Sequence, residues 1–261
     1  MNNDRPITAT DLVCNLAAES RIKLIGLGGI GCIVLEFLAV FLKSLQRSVR
    51  LVLIDGDAFE ASNSTRMVFQ TVGNKAEVKA TETAAWLGSS EVSLVPCSEY
   101  ITVENVERLI RPFDHVLLCV DNHPTRKLVS DHCSKLSNVV LFSGGNEGVA
   151  PPERGTYGNV QIALRRDGKD VTVPITRYHP EIANPKGKMP TEADCGQMAL
   201  STPQILFTNL AVASAMLNAF FSYTCGQLAY QEIKLDILEA RMLPQFPLAA
   251  EQIPQPLPAL Q

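Results

Sequence analysis

The chain has 261 residues, of which 46% are hydrophobic and 19% charged, and a formal net charge of −4; it can bury one large core, and its mild acidity offers no general attraction to nucleic acid or anionic membrane. Seven cysteines stand singly, an odd total with no C-x-x-C pair, which points to a reducing, cytoplasmic compartment and away from a zinc site. Asp4 and Asp11 occupy the region where an export signal would need basic residues.

A first strand is expected at residues 21–26, running into Gly26-Leu-Gly28-Gly29-Ile-Gly31 and a helix through about residue 45. A second strand follows at 49–54 and ends at Asp55, so the chain opens as the strand, glycine turn, helix, strand unit of a doubly wound sheet. Helices at 76–86, 103–111 and 124–137 alternate with strands at 92–96, 115–120 and 139–143, the order a parallel sheet requires. From Asn146 the pattern changes: runs at 160–165 and 171–175 flank a turn at Asp167-Gly168 and read as an antiparallel hairpin. Residues 176–194 hold Pro180, Pro185 and Pro190 and form a long loop. A helix at 203–223 and a strand at 233–238 follow. The run 33–42 is too short to cross a membrane, and 205–223, which contains Thr208, Asn209, Ser214 and Asn218, is read as a buried or interface helix. The fold class is therefore α/β, a doubly wound, Rossmann-like, mostly parallel sheet with a C-terminal antiparallel extension. Its parts are a nucleotide-binding half at 1–145, a partner-binding and loop half at 146–243, and a proline-rich tail at 244–261.

A glycine turn between strand and helix lets backbone N–H groups approach a phosphate at the positive end of the helix dipole. From Gly26 to Asp55 there are 29 residues, against the ~20 usual for dinucleotide sites, which weakens a dehydrogenase assignment. Asp55 is placed to accept ribose hydroxyls; the alternative is a solvated acid at a strand end. Behind it, Asp57, Asn63 and Arg66 gather a carboxylate, an amide and a guanidinium. Hydride transfer has no need of that guanidinium, whereas chemistry at a phosphate does.

These residues, in Asp55-Gly-Asp57 and Ser62-Asn63-x-x-Arg66 after the glycine turn, resemble the ThiF/MoeB and ubiquitin-activating enzyme superfamily. The match continues in Asp121-Asn122-x-x-Thr125-Arg126, similar to the family's D-N-x-x-x-R segment. The resemblance implies that Gly26, Gly28, Gly29 and Gly31 line a nucleotide loop, with Asp57 and Asn122 in the same site. By the same resemblance Asp55 holds the ribose, Asn63 and Arg66 touch phosphates, and Asp121 places Mg²⁺ on ATP; a helix-capping role for Asp121 is the alternative. The family's phosphate lysine corresponds to Lys75, with Lys79 as the fallback, because the local spacing is one residue short. Met67 stands where the family commonly has Gln, and the zinc-binding cysteine pairs of many relatives are absent. Cys195, at the end of the long loop, resembles the cysteine that takes the acyl group as a thioester, although the neighbouring Glu192 and Asp194 disfavour a thiolate. Cys32, Cys119, Cys133 and Cys225 are expected in the core, and His115, His123, His132 and His179 to be structural.

The implied activity is ATP-dependent adenylation of the C-terminal carboxylate of a small ubiquitin-like or sulfur-carrier protein ending in Gly, with Arg66, Lys75, Asp121 and Cys195 as the catalytic set. A conjugating enzyme is a further implied partner, and the resemblance implies a homodimer or related heterodimer. Two other functions remain open on the residues: a non-catalytic partner subunit and a nicotinamide-dependent oxidoreductase.

Overall fold

The computed structural model describes residues 12–60, 63, 68–149, 153–192 and 205–245. Its first half runs β1 (Ser20–Ile25), α1 (Gly29–Ser44), β2 (Val49–Ile54), α2 (Lys75–Leu87), β3 (Val92–Cys97), the single turn α3 (Val106–Leu109), β4 (His115–Leu118), α4 (His123–Cys133) and β5 (Val139–Asn146). The second half adds β6 (Tyr157–Arg166), the two-residue β7 (Lys169–Asp170), the short α5 (Pro180–Ala183), α6 (Leu206–Thr224), β8 (Glu232–Asp236) and β9 (Arg241–Gln245). The nine strands form one sheet in the order β3-β2-β1-β4-β5-β6-β8-β9, with β7 on β6. β1 to β5 pair in parallel and the remaining strands pair antiparallel.

Successive strand side chains point to opposite faces, so each strand feeds two cores. Leu51, Leu53, Phe142 and Val160 join α1, α2 and α6 in one cluster. Val52, Ile54, Leu118 and Leu141 join α3, α4, Ile175 and Ile182 in the other. By length and composition α6 could cross a membrane, yet half of that window is buried. Two of its polar side chains reach across to other elements: Thr208 Oγ1 donates to Gly155 O at 2.6 Å and Asn209 Oδ1 accepts from Asn146 at 2.9 Å, while Asn209 Nδ2 is buried without a partner among the described residues. This agrees with a core helix.

The structure departs from the sequence-based boundaries in four places. The helix expected at 103–111 is one turn: Ile110 is already extended, and Pro112 disfavours the helical region for the residue before it, Arg111, so the helix does not resume. The helix expected at 124–137 ends at Cys133, followed by Ser134, whose hydroxyl bonds back to Ser130 O at 2.9 Å. The turn at Asp167-Gly168 is present, with both residues at positive φ (50° and 75°), but the strand expected at 171–175 is not. Thr172 Oγ1 accepts from Leu164 N at 2.8 Å and donates to Ile162 O at 2.9 Å, substituting a side chain for a ladder, and Pro174 brings no N–H to extend it. Finally, Pro244 and Gln245, assigned to the tail, belong to β9; residues 246–261 lie outside the described residues. Both outermost strands therefore contain a proline, Pro96 opposite Leu53 in β3 and Pro244 opposite Ile233 in β9.

Candidate nucleotide site

β1 pairs with β2 on one side and β4 on the other, Ile25 standing opposite both Ile54 and Leu118. The glycine turn, Asp55 and the segment after β4 consequently emerge at one edge of the sheet, where the strand order reverses and open α/β sheets form a crevice. Gly26 N donates to Ile54 O at 2.9 Å and turns with φ +87°. A Cβ at Gly31 would lie 1.8 Å from Gly26 O, so only glycine lets α1 start this close to β1. Gly28 has nothing within 4 Å of where its Cβ would be, and no side chain caps α1. The first-turn amides of that helix are thus presented to an anion.

Asp55 is buried beside this turn. Its Oδ2 accepts from Leu27 N at 2.5 Å and its Oδ1 from Asp57 N at 2.8 Å. Burial pushes its carboxyl up, against the opposing pull of Lys75 and of those amides. Asp57 Oδ2 accepts from Lys75 Nζ at 2.8 Å, and Oδ1 accepts from the Tyr100 hydroxyl. Burial works to raise the Asp57 carboxyl, but Lys75 and Tyr100 together hold it below the usual range. Burial likewise works against the Lys75 ammonium, and Asp55 and Asp57 more than offset it, so its pKa stays above the ordinary value. α2 brings Lys75 here through its N-cap, Asn74, whose Oδ1 accepts from Ala76 N at 2.8 Å while its Nδ2 donates to Asp55 O at 2.9 Å and Asp57 O at 3.1 Å.

On the neighbouring strand end Asp121 is exposed and makes no hydrogen bond or ion pair among the described residues. The cap of α4 is instead Asn122, whose Oδ1 accepts from Thr125 N at 2.9 Å. This corrects the capping alternative for Asp121. Arg126, the last residue of that motif, is buried: it donates to Val120 O and Gly144 O, each at 2.9 Å through Nη2. A Cβ at Gly145 would lie 2.1 Å from that nitrogen.

Gly26, Gly28, Gly29, Gly31, Asp55, Asp57 and Lys75 are therefore brought together, with Asp121 and Asn122 on the adjoining strand end. Lys79, one turn further along α2, is paired with Glu82 at 2.6 Å, bonded to Val68 O and 5.7 Å from the Phe59 ring centroid. Asn63 turns its amide oxygen to Glu60 N at 3.1 Å, a local turn contact. Arg66, Met67 and Cys195 lie outside the described residues. Cys32, next to the turn, donates to Leu27 O at 3.2 Å, and burial pushes its thiol up to about 12, as it does for Cys119 and Cys133.

His115 lies in the core and His132 Nε2 is 2.9 Å from Ile110 O, both structural settings, while the half-buried His123 at the start of α4 has no partner for Nδ1 among the described residues. His179 lies between Glu181 Oε1 at 2.7 Å and the buried Glu232 Oε1 at 2.9 Å. Burial works to lower its pKa, and the two carboxylates more than reverse this. It thereby ties the 176–192 segment to β8. Tyr100, Asn74 and the buried fork of Arg126 are contributions to the site that had not been anticipated.

Residues 9–251 match the model of the ThiF family. The chain belongs to the ThiF family. It is 36% identical over 118 residues to the adenylyltransferase and sulfurtransferase MOCS3 of Bos taurus, covering 44% of this chain and 25% of that protein. Over 128 residues it is 31% identical to the SAMP-activating enzyme E1 of Haloferax volcanii, covering 48% of this chain and 45% of that protein. The matches thus span from a quarter to less than half the length of these curated relatives. Among solved structures, E. coli MccB with ATP aligns at a TM-score of 0.59 and 19% identity, over 91% of this chain and 65% of that one. PaaA aligns at 0.60 and 18% identity, over 87% of this chain and 72% of that one. These likenesses fix the fold as Rossmann-like within this family.

Proposed function

We propose that the chain is an adenylyltransferase that uses ATP to activate the C-terminal carboxylate of a small ubiquitin-like or sulfur-carrier protein. The observation that carries this is the convergence, at one sheet edge, of an open glycine turn, the buried acid Asp55 and the Asp57–Lys75 pair. The names of MOCS3 and of the Haloferax enzyme, and a neighbour crystallised with ATP, point the same way.

A carboxylate oxygen of the partner attacks the α-phosphorus of ATP, the bond to the β-phosphate oxygen breaks, and pyrophosphate leaves with its electron pair. Little covalent work falls to the protein, so catalysis is positioning and charge neutralisation. Asp55 has lone pairs left for ribose hydroxyls after its two amide contacts. Lys75 and Arg66 offset charge growing on the phosphate oxygens. Asp121, an exposed carboxylate that capping does not consume, suits a hard cation, and a magnesium ion held there would screen the triphosphate from the incoming anion. The carrier tail is placed in extended form beneath the 176–192 segment, beside the antiparallel strands. We further propose that Cys195 accepts the acyl group as a thioester, AMP leaving; the alternative, which the likeness to MOCS3 supports, is that the acyl-adenylate passes its acyl group directly to a sulfur donor, AMP again leaving. The free thiols among the described residues suit a reducing cytoplasm. α1 and α6 present exposed Phe37, Val40, Phe207 and Leu210, a face we assign to a second or related copy.

ATP–pyrophosphate exchange with a Gly-ended carrier tests the proposal. The wild-type chain is expected to exchange and Asp121→Ala to lose about 100-fold or more. No exchange with any carrier, or exchange indifferent to Asp121→Ala, would refute it, and absence of ATP binding would indicate a non-catalytic subunit.

A further inference from the structure

Tyr100 follows β3, the neighbour of β2, and its ring lies flat against the backbone of Gly56, where a Cβ would stand 2.6 Å from ring carbons. Gly56 is not among the residues at positive φ, so it is the ring, and not the backbone, that excludes a side chain there. The backbone that carries the ring is held in place: the Tyr100 carbonyl oxygen accepts from Asn105 Nδ2 at 2.9 Å, and Asn105 Oδ1 accepts from Thr102 N at 2.8 Å. The hydroxyl of this fixed ring donates to Asp57 Oδ1, while Lys75 Nζ donates to Oδ2 at 2.8 Å. One carboxylate is thus shared between a phenol and an ammonium. The Asp57 side chain is 49% exposed toward the crevice and that of Lys75 only 10%.

A carboxylate that accepts from a phenol has less charge to give its other partner, and one oxygen held in place cannot rotate to grip the ammonium with both. We propose that Tyr100 is a positioning residue: by occupying Oδ1 it stops Asp57 from closing fully on Lys75 and leaves the ammonium able to turn to a nucleotide phosphate. This rests on the adenylation proposed above for its consequence, but the Tyr100–Asp57–Lys75 coupling exists in the ligand-free chain. It implies that Tyr100 acts on ATP capture, where the lysine must leave Asp57, more than on the subsequent attack.

The test uses the full chain and two readouts. In ligand-free protein carrying ¹³C-labelled lysine, Tyr100→Phe is expected to shift the Lys75 titration upward with the melting temperature unchanged, because the ring and its packing remain. In pyrophosphate exchange the same variant is expected to raise KM for Mg-ATP about fivefold with kcat nearly constant, the pattern of lost binding and not of lost chemistry. Gly56→Ala pushes the ring away and should shift Lys75 in the same direction, yet have no effect on it when combined with Tyr100→Ala. An unmoved Lys75 titration in Tyr100→Phe overturns the proposal, as does a fall in kcat alone. If the wild-type chain binds no Mg-ATP, adenylation is refuted, and the Lys75 titration still decides the role of Tyr100.

Discussion

Lys75 and Lys79 sit one helical turn apart, in different surroundings. Lys75 is buried between Asp55 and Asp57, whereas Lys79 closes an ion pair with Glu82 over an aromatic ring. Lys75→Ala is expected to reduce pyrophosphate exchange by about 100-fold. Lys79→Ala should leave exchange within about twofold, its partly screened pair contributing little to stability either. Both are read from the same exchange assay with melting temperatures alongside. That Lys75 lies at the crevice beside Asp57 was legible because Ala-Glu-Val follows it as in the family pattern, and the meeting of the glycine turn with Asp55 was legible because strand ends in a parallel sheet share an edge. Tyr100 was not: it lies 43 residues from Asp57 in the chain, and only the pairing of β3 with β2 brings them together. The turn contact of Asn63 was not legible either, since a short polar side chain finds a partner in its own turn, Glu60 N.

At the level of single elements, α4 depends on the cap that precedes it. Asn122→Ala removes the acceptor for Thr125 N and should cost about 1 kcal/mol, measurable by denaturant melts, while Asp121→Ala, which removes no cap but only a charge facing the buried Arg126, should cost less. A stability loss in Asp121→Ala equal to that in Asn122→Ala would contradict the assignment of the cap. The parallel half was readable because apolar runs of strand length alternate with helical patterns, and both signals are local. β7 and β9 were not. The first is cut short by a threonine that imitates a strand and by Pro174, and the second is a proline-containing run whose only strand signal is the partner beside it, β8.

For the molecule as a whole, His115 sets an acid limit. Its imidazole lies against Phe220 and Tyr223, and burial pushes it down to about 4, against a weaker opposing pull from the Arg21 backbone. The unfolded chain binds this proton near pH 6.5. Its contribution is therefore complete above that pH and is lost as the pH falls from 6.5 toward 4, up to about 3 kcal/mol. Melting temperatures of His115→Phe against wild type from pH 7 to pH 4 should show the variant flattening this descent; identical slopes would remove His115 as the cause.

The prolines of β3 and β9 bear on how this molecule meets others. Proline has no amide hydrogen to contribute to a ladder, so neither flank of the sheet offers an unbroken template for another chain to extend. Growth by strand addition, the route to fibrils and tangled aggregates, is discouraged at both ends of a nine-stranded surface. Encounters are steered instead toward the broad sides of the sheet.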